Sequence, residues 1–279
     1  MDRRPTRGSS PDERGSRRRA PGTPSAPREP IGRDRATRSA PARRAPSRTA
    51  PPEPDRPELP ADHRPDVPPA VRREVQRRVA PKGRARDVLV CLDLGSAASE
   101  SGDHTTALLH MRWAKHLAPR IQLVREALGI ALYRADEFRA ALTELQAYRR
   151  LAGASDQNHL IADCLRAVGA PVDEVVPVAV ELLDDAAAEP DRRIEAALVA
   201  AGALEDAGRR DRARDLLLRS ETAARSAAPE ARARRHWLAA ELAERAGDPA
   251  AAVTELDELL RIAPDEEVRT WRARLSPDG

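Results

Sequence analysis

The sequence predicts an all-α protein: a solenoid of about five stacked helical hairpins behind a leader that has no core of its own. Three observations carry this. From residue 84 onward the chain reads as amphipathic segments of about 14–17 residues, broken by Gly, Pro and Asp, with little sustained period-two alternation. Ala, Leu, Arg and Glu dominate those segments, and all four are strong helix formers. Short groups of residues also recur at fixed spacings of 34 and later 39 positions, the mark of a repeat architecture.

The leader stands apart by composition. Of the 25 prolines, 16 lie in residues 1–69, whereas all six aromatics lie beyond them. Residues 1–60 hold 15 arginines against 8 acidic residues, and the remainder holds 33 basic against 37 acidic. A basic leader therefore precedes a mildly acidic body. Residues 1–66 offer too little apolar surface to offset the entropy of ordering and are expected to be disordered, with the folded domain spanning 67–279.

The elements then follow in order. "PPAVRREVQRRV" (68–79) places Val71, Val75 and Val79 on one stripe of a short helix opened by a proline pair. Pro81-Lys82-Gly83 breaks the chain. Periodicity then predicts helices near 84–101, 103–117, 120–134, 137–151, 156–168, 171–187, 191–207, 209–225, 229–246, 248–262 and 265–275. Several boundaries carry their own signals. Gly102 suits the left-handed end of a helix and Asp103 the cap of the next. Gly247-Asp248-Pro249 repeats that corner with proline at the first helical position.

The recurrences pair these helices. Leu94-Gly95 returns as Leu128-Gly129, and Ala107 with Met111 returns as Ala141 with Leu145, both after 34 residues. Ile161-Ala162 continues the first pair after 33. Gly208 and Ala213 return as Gly247 and Ala252 after 39, with Leu217 and Leu256 in step and Pro264 closing the last unit. The small residues at these places let paired helices approach closely. The pattern over 88–264 resembles the tetratricopeptide repeat, TPR, and the resemblance implies a right-handed superhelix with a C-terminal capping helix.

"VLVCLDLGSAASESGD" at residue 88 admits another reading, a strand running into a phosphate-binding loop, and "LVCLDLGS" is similar to the first phosphate motif of the actin and sugar-kinase ATPases. No second phosphate loop and no further strand pattern follow, so the stretch reads better as the last turns of a helix and a tight corner. No Walker-type or nucleophile-elbow motif appears elsewhere. His104, His110 and His116 step by six residues and face different sides of a helix, so no metal site is expected. Cys91 and Cys164, with no Cys-x-x-Cys pair, read as packed apolar fillers in a reducing cytoplasm. The serines at 96, 99 and 101 lack a His/Asp partner. No apolar run is long enough to span a bilayer. No catalytic residue, cofactor or metal is expected, and the protein is read as cytoplasmic.

What remains is a binding role. The resemblance implies that the first helix of each hairpin lines a concave face holding a peptide or helix of another protein. It places Tyr133 and Arg134, then His159, Asp163 and Arg166, then Glu205 and Asp206, then Trp237, Glu241 and Glu244 along that face. The family's Lys/Asn carboxylate clamp is absent, its places held by Leu92, Ser96, Glu126 and Ile130. Trp271, with Val268 and Leu275, is expected to cover the last repeat. The alternative partner is nucleic acid, held weakly and salt-sensitively by the arginines of residues 1–66, although no aromatic is interleaved to stack bases.

Overall fold

The computed structural model describes residues 53–276, and its thirteen helices in that range come without a strand. They are α1 (Pro69–Arg78), α2 (Lys82–Glu100), α3 (His104–Leu117), α4 (Gln122–Arg134), α5 (Phe138–Ala152), α6 (Asn158–Ala167) and α7 (Val172–Asp184). There follow α8 (Pro190–Asp206), α9 (Arg210–Arg219), α10 (Glu221–Ala224), α11 (Pro229–Arg245), α12 (Pro249–Ile262) and α13 (Glu266–Leu275). Five antiparallel hairpins result: α2/α3, α4/α5, α6/α7, α8/α9 and α11/α12.

The small residues sit where the helices cross. A Cβ added at Gly95 would lie 2.9 Å from Met111 Cε, and one at Gly129 would lie 2.8 Å from Leu145 Cγ. The repeated pairs Gly95/Met111 and Gly129/Leu145 are thus the same contact in successive hairpins. In the later units alanine takes the glycine's place: Ala162, Ala201 and Ala240 are fully buried. Ala107, Ala141, Ala213 and Ala252 on the second helices are fully buried as well. The third hairpin departs from the pattern because Pro171 lengthens its corner, and Val175 occupies the buried position in α7.

Successive core clusters run along the array, one shared by α1 to α6, the next by α6 to α9 together with Leu242 of α11, another by α11 to α13. Each repeat packs on its neighbours, as a solenoid requires. The first helices of consecutive hairpins touch one another in series, α2 with α4, α4 with α6, α6 with α8 and α8 with α11, whereas the second helices are not packed on each other in this way. The side on which helices lie closer is the inside of a curve. The first helices therefore line the concave face.

Two expectations need correction. The helix expected over 209–225 is broken at Ser220. Its hydroxyl donates to the Leu217 carbonyl (2.6 Å), and the buried Arg235 guanidinium donates to Ser220 Oγ (3.0 Å) and Leu217 O (3.2 Å). A side chain from α11 thus takes the carbonyl that the next helical turn would have used.

The leader expected to lack structure through residue 66 is already placed from Glu53. Its part before that lies outside the described residues. Residues 53–67 run as a strap over α2 and α3, with a turn at Ala61-Asp62. Pro57 is buried and Leu59 packs on the first core cluster. Arg86 Nη2 donates to the carbonyls of Pro60 (2.6 Å) and Ala61 (2.8 Å), and His63 Nε2 meets Asp93 Oδ2 at 2.7 Å. The Arg56 guanidinium lies 5.8 Å from the Trp113 ring centre. Composition alone undervalued this segment, because proline reduces the backbone freedom lost on ordering. The carbonyls that Arg86 uses, those of Pro60 and Ala61, are held toward α2 by a turn that His63 N–H closes on Pro60 O (3.3 Å).

Candidate functional site

The concave face is built by side chains that cross from one first helix to the next. On α4, Arg134 Nη1 donates back to Ser99 Oγ of α2 (3.0 Å), while the Tyr133 hydroxyl donates forward to Asp163 Oδ2 of α6 (2.6 Å). Tyr133 also packs edge-on against Phe138, ring centres 5.8 Å apart. On α6, Arg166 Nε donates to Asp206 Oδ2 of α8 (2.8 Å), and its guanidinium lies against Gly202, where an added Cβ would sit 3.2 Å from Nη1. Glu205 of α8 faces Arg210 Nε (3.3 Å) and Arg245 Nη1 of α11 (3.5 Å). The ladder ends where Glu244 of α11 accepts from Trp271 Nε1 (2.7 Å) and Arg274 Nη2 (2.9 Å) of α13.

These contacts change the standing of the predicted residues. Tyr133 pairs with Asp163 and Arg166 with Asp206 across repeats, and Arg134 reaches Ser99 of the preceding hairpin, so both predicted arginines are engaged with a neighbouring first helix. His159 is half-buried, and burial with Arg192 beside it lowers its pKa to about 4. It is neutral at physiological pH, and its Nδ1 has no partner among the described residues. Burial raises the Glu126 carboxyl against the bond it accepts from Gln157 (2.7 Å). Desolvation, followed by the bond to Asp163, raises the Tyr133 hydroxyl and keeps it a donor.

Two openings interrupt the ladder. One, of about 230 Å³, lies between α2 and α4 and is lined by Ser96, Ser99, Glu126, Ile130 and Arg134. It contains three of the four places that the clamp would occupy; the fourth, Leu92, is buried in the core. The other, of about 540 Å³, lies between α11 and α13 and joins the predicted Trp237, Glu241 and Glu244 to Arg245, Glu267, Thr270, Trp271 and Arg274. The residues of α13 were not expected there. A signal for them exists, since Trp271 stands 34 positions after Trp237. Helix α13 packs on α12 and covers the fifth repeat with Val268, while its Trp271 reaches Trp237 and Glu244 of α11.

The remaining candidates resolve locally. His110 is buried, and His116 stacks on Trp113 (ring centres 4.9 Å, planes 22° apart) and meets Glu53 at 3.3 Å. Cys91 and Cys164 are both buried and unpaired, with burial pushing each thiol up to about 12. Among the described residues no helix is long and apolar enough to cross a membrane.

The architecture is that of the TPR solenoids. A thermophilic TPR protein of Thermus thermophilus is similar in structure, with a TM-score of 0.50 and 18% sequence identity over 67% of this chain and 97% of that one. YrrB, a TPR protein described as having an unusual peptide-binding site, gives 0.48 at 14% identity, over 74% of this chain and 98% of its own. PilF of Pseudomonas aeruginosa gives 0.45 at 16% identity, over 69% and 99%. No family model and no curated protein matches the sequence. The likeness is one of fold: the described body is an all-helical, TPR-type solenoid.

Proposed function

We propose that this protein is a non-catalytic scaffold that holds a peptide or helix of another protein along its concave face. The supporting observation is the form of that face. Its polar side chains are pinned from helix to helix by the ladder of Tyr133, Arg166, Glu205 and Glu244, and two cavities open at its opposite ends, one between α2 and α4 and one between α11 and α13. A surface held rigid before binding loses less freedom on association. The proposed contact residues are Tyr133, Arg134, His159, Asp163, Arg166, Glu205, Asp206, Trp237, Glu241 and Glu244. Two buried, unpaired cysteines fit a reducing compartment, and we place the protein in the cytoplasm.

The test is site-specific photocrosslinking in the native host. A photoreactive residue is placed at Ser96, Ile130 or Glu241 on the concave side, or at Thr143 or Leu218 on exposed surfaces of second helices. Protein adducts that form from the concave positions and not from the others support the reading. Adducts confined to Thr143 and Leu218 refute it.

A further inference from the structure

The cavity between α11 and α13 differs in chemistry from the rest of the face. Its aromatic wall is Trp237 and Trp271, with ring centres 5.3 Å apart and planes at 58°. Its volume of about 540 Å³ lies within the ~300–1,000 Å³ typical of ligand pockets. The bond from Trp271 Nε1 to Glu244 fixes that indole, so the ring cannot turn its N–H to an incoming group without losing a carboxylate partner.

The polar lining is unbalanced. Three carboxylates, Glu241, Glu244 and Glu267, face two guanidinium groups. Both of those are already engaged, Arg274 with Glu244 at 2.9 Å and Arg245 with Glu205 at 3.5 Å. Glu241 has only a 4.0 Å approach from Arg245, and the exposed Glu267 carboxylate has neither ion pair nor hydrogen bond among the described residues. By contrast, in the cavity of about 520 Å³ beside α3 and α5, Arg112 and Lys115 are matched by Glu137 and Glu144.

Each class of occupant meets this cavity differently. An acidic group meets surplus negative charge. A purely apolar group covers the indoles while stripping water from carboxylates that gain nothing in return. A cation on an apolar stem satisfies both, with the stem and charge against the electron-rich indole faces and the head between Glu241 and Glu267. A guanidinium suits the site better than an ammonium, because it is planar and stacks on aromatic rings.

We propose that this cavity is a recognition site for a basic side chain, arginine before lysine, of the polypeptide held in the groove. The proposal rests on the scaffold reading and adds the chemistry of one subsite to it. The experiment uses the full chain and four fluorescein-labelled peptides, Gly-Ser-X-Pro-X-Ser-Gly, with X as Arg, Lys, Gln or Glu. Binding is followed by fluorescence anisotropy and by the indole N–H resonances, assigned with single Trp→Phe variants.

The Arg peptide is expected to bind about tenfold more tightly than the Gln and Glu peptides, and to shift the indole signals of Trp237 and Trp271 but not of Trp113. The double variant Glu241→Gln with Glu267→Gln, which leaves both indoles in place, is expected to weaken the Arg peptide about tenfold. Trp271→Leu, checked for intact helicity, is expected to abolish the preference. Equal binding of all four peptides, unchanged affinity in the double variant, or no binding of the Arg peptide up to about 1 mM overturns the proposal. Any of those results alongside concave-face crosslinks from Ser96 and Ile130 leaves the scaffold reading standing and removes this subsite alone.

Discussion

Replacing Gly129 with alanine tests the repeat contact at its tightest point. An added Cβ would lie 2.8 Å from both Cγ and Cδ2 of Leu145 and 3.3 Å from its backbone nitrogen. Ordinary carbon–carbon contact is ~3.5–4.0 Å, so most of an ångström of separation has to be found. Rotating Leu145 supplies little of it. Its branch carbon is one of the clashing atoms and its side chain is fully buried, so α4 and α5 must part. Overpacking of this kind costs ~1–3 kcal/mol. Alanine in place of glycine inside a helix returns ~0.5–1 kcal/mol, leaving a net loss of about 0–2.5 kcal/mol. At Gly95 the nearest atom is the terminal Cε of Met111, at 2.9 Å. That group swings aside easily. The other contacts, His110 Cβ at 3.2 Å and Met111 Cγ at 3.3 Å, ask for only a few tenths of an ångström. The helix-propensity gain offsets that, so Gly95→Ala should be close to neutral. Gly83, exposed near the start of α2 with nothing within 4 Å, is the control, and its alanine variant should gain ~0.4–1 kcal/mol. Urea unfolding of the full chain, followed by far-ultraviolet circular dichroism, should therefore rank Gly83→Ala above wild type, Gly95→Ala near it and Gly129→Ala below. A Gly129→Ala protein as stable as Gly83→Ala would refute the assignment of Gly129 and Leu145 as the crossing point.

Two further outcomes follow from the structure. A chain that starts at residue 67 should melt at a lower temperature than one that starts at 53, because it loses buried Pro57, half-buried Leu59 and the acceptors of Arg86. Identical melting curves would mean that the strap adds nothing to the body. Stability should also fall on mild acidification. His159 has its pKa lowered to about 4 in the fold, mainly by burial, and its unfolded value is ~6.5. Between those values the unfolded chain binds the additional proton, so this contribution is complete above pH ~6.5 and declines as the pH drops toward ~4. The slope is at most ~1.4 kcal/mol per pH unit from His159, with buried His110 adding in the same direction. His159→Gln should flatten the dependence of the urea midpoint between about pH 7 and about pH 5. Parallel profiles for variant and wild type would contradict it.

The helical class, the hairpin pairing and the crossing points are local facts, and they are legible in the residues. Gly95 and Met111, or Gly129 and Leu145, stand sixteen positions apart in one hairpin, and their recurrence after 34 residues states which helices touch. The corners at Gly102 and Gly247 are legible for a similar reason, since a left-handed helix end followed by Asp is a short-range requirement. The break at Ser220 is not, because the group that causes it, the Arg235 guanidinium, arrives from the next hairpin. The strap is not legible either: composition assigns residues 53–66 to the leader, and only the α2 surface, with Arg86 and Asp93, gives them partners.

The same division runs through the candidate site. Sequence alone determined the fold class and the order of the hairpins, because the repeat encodes both in spacing, and the resemblance to the TPR implied which helices face inward. It did not determine what each inward residue does. The resemblance places Arg134 and Arg166 on the concave face, but only the fold brings Ser99 and Asp206, 35 and 40 positions away, against them. Trp271 reads as a cap until α13 stacks beside α11 and turns Trp237, Glu241 and Glu267 into the walls of one cavity. Whether a charge is free or paired is decided by groups that the chain brings together only on stacking, and stacking is a property of the tertiary structure.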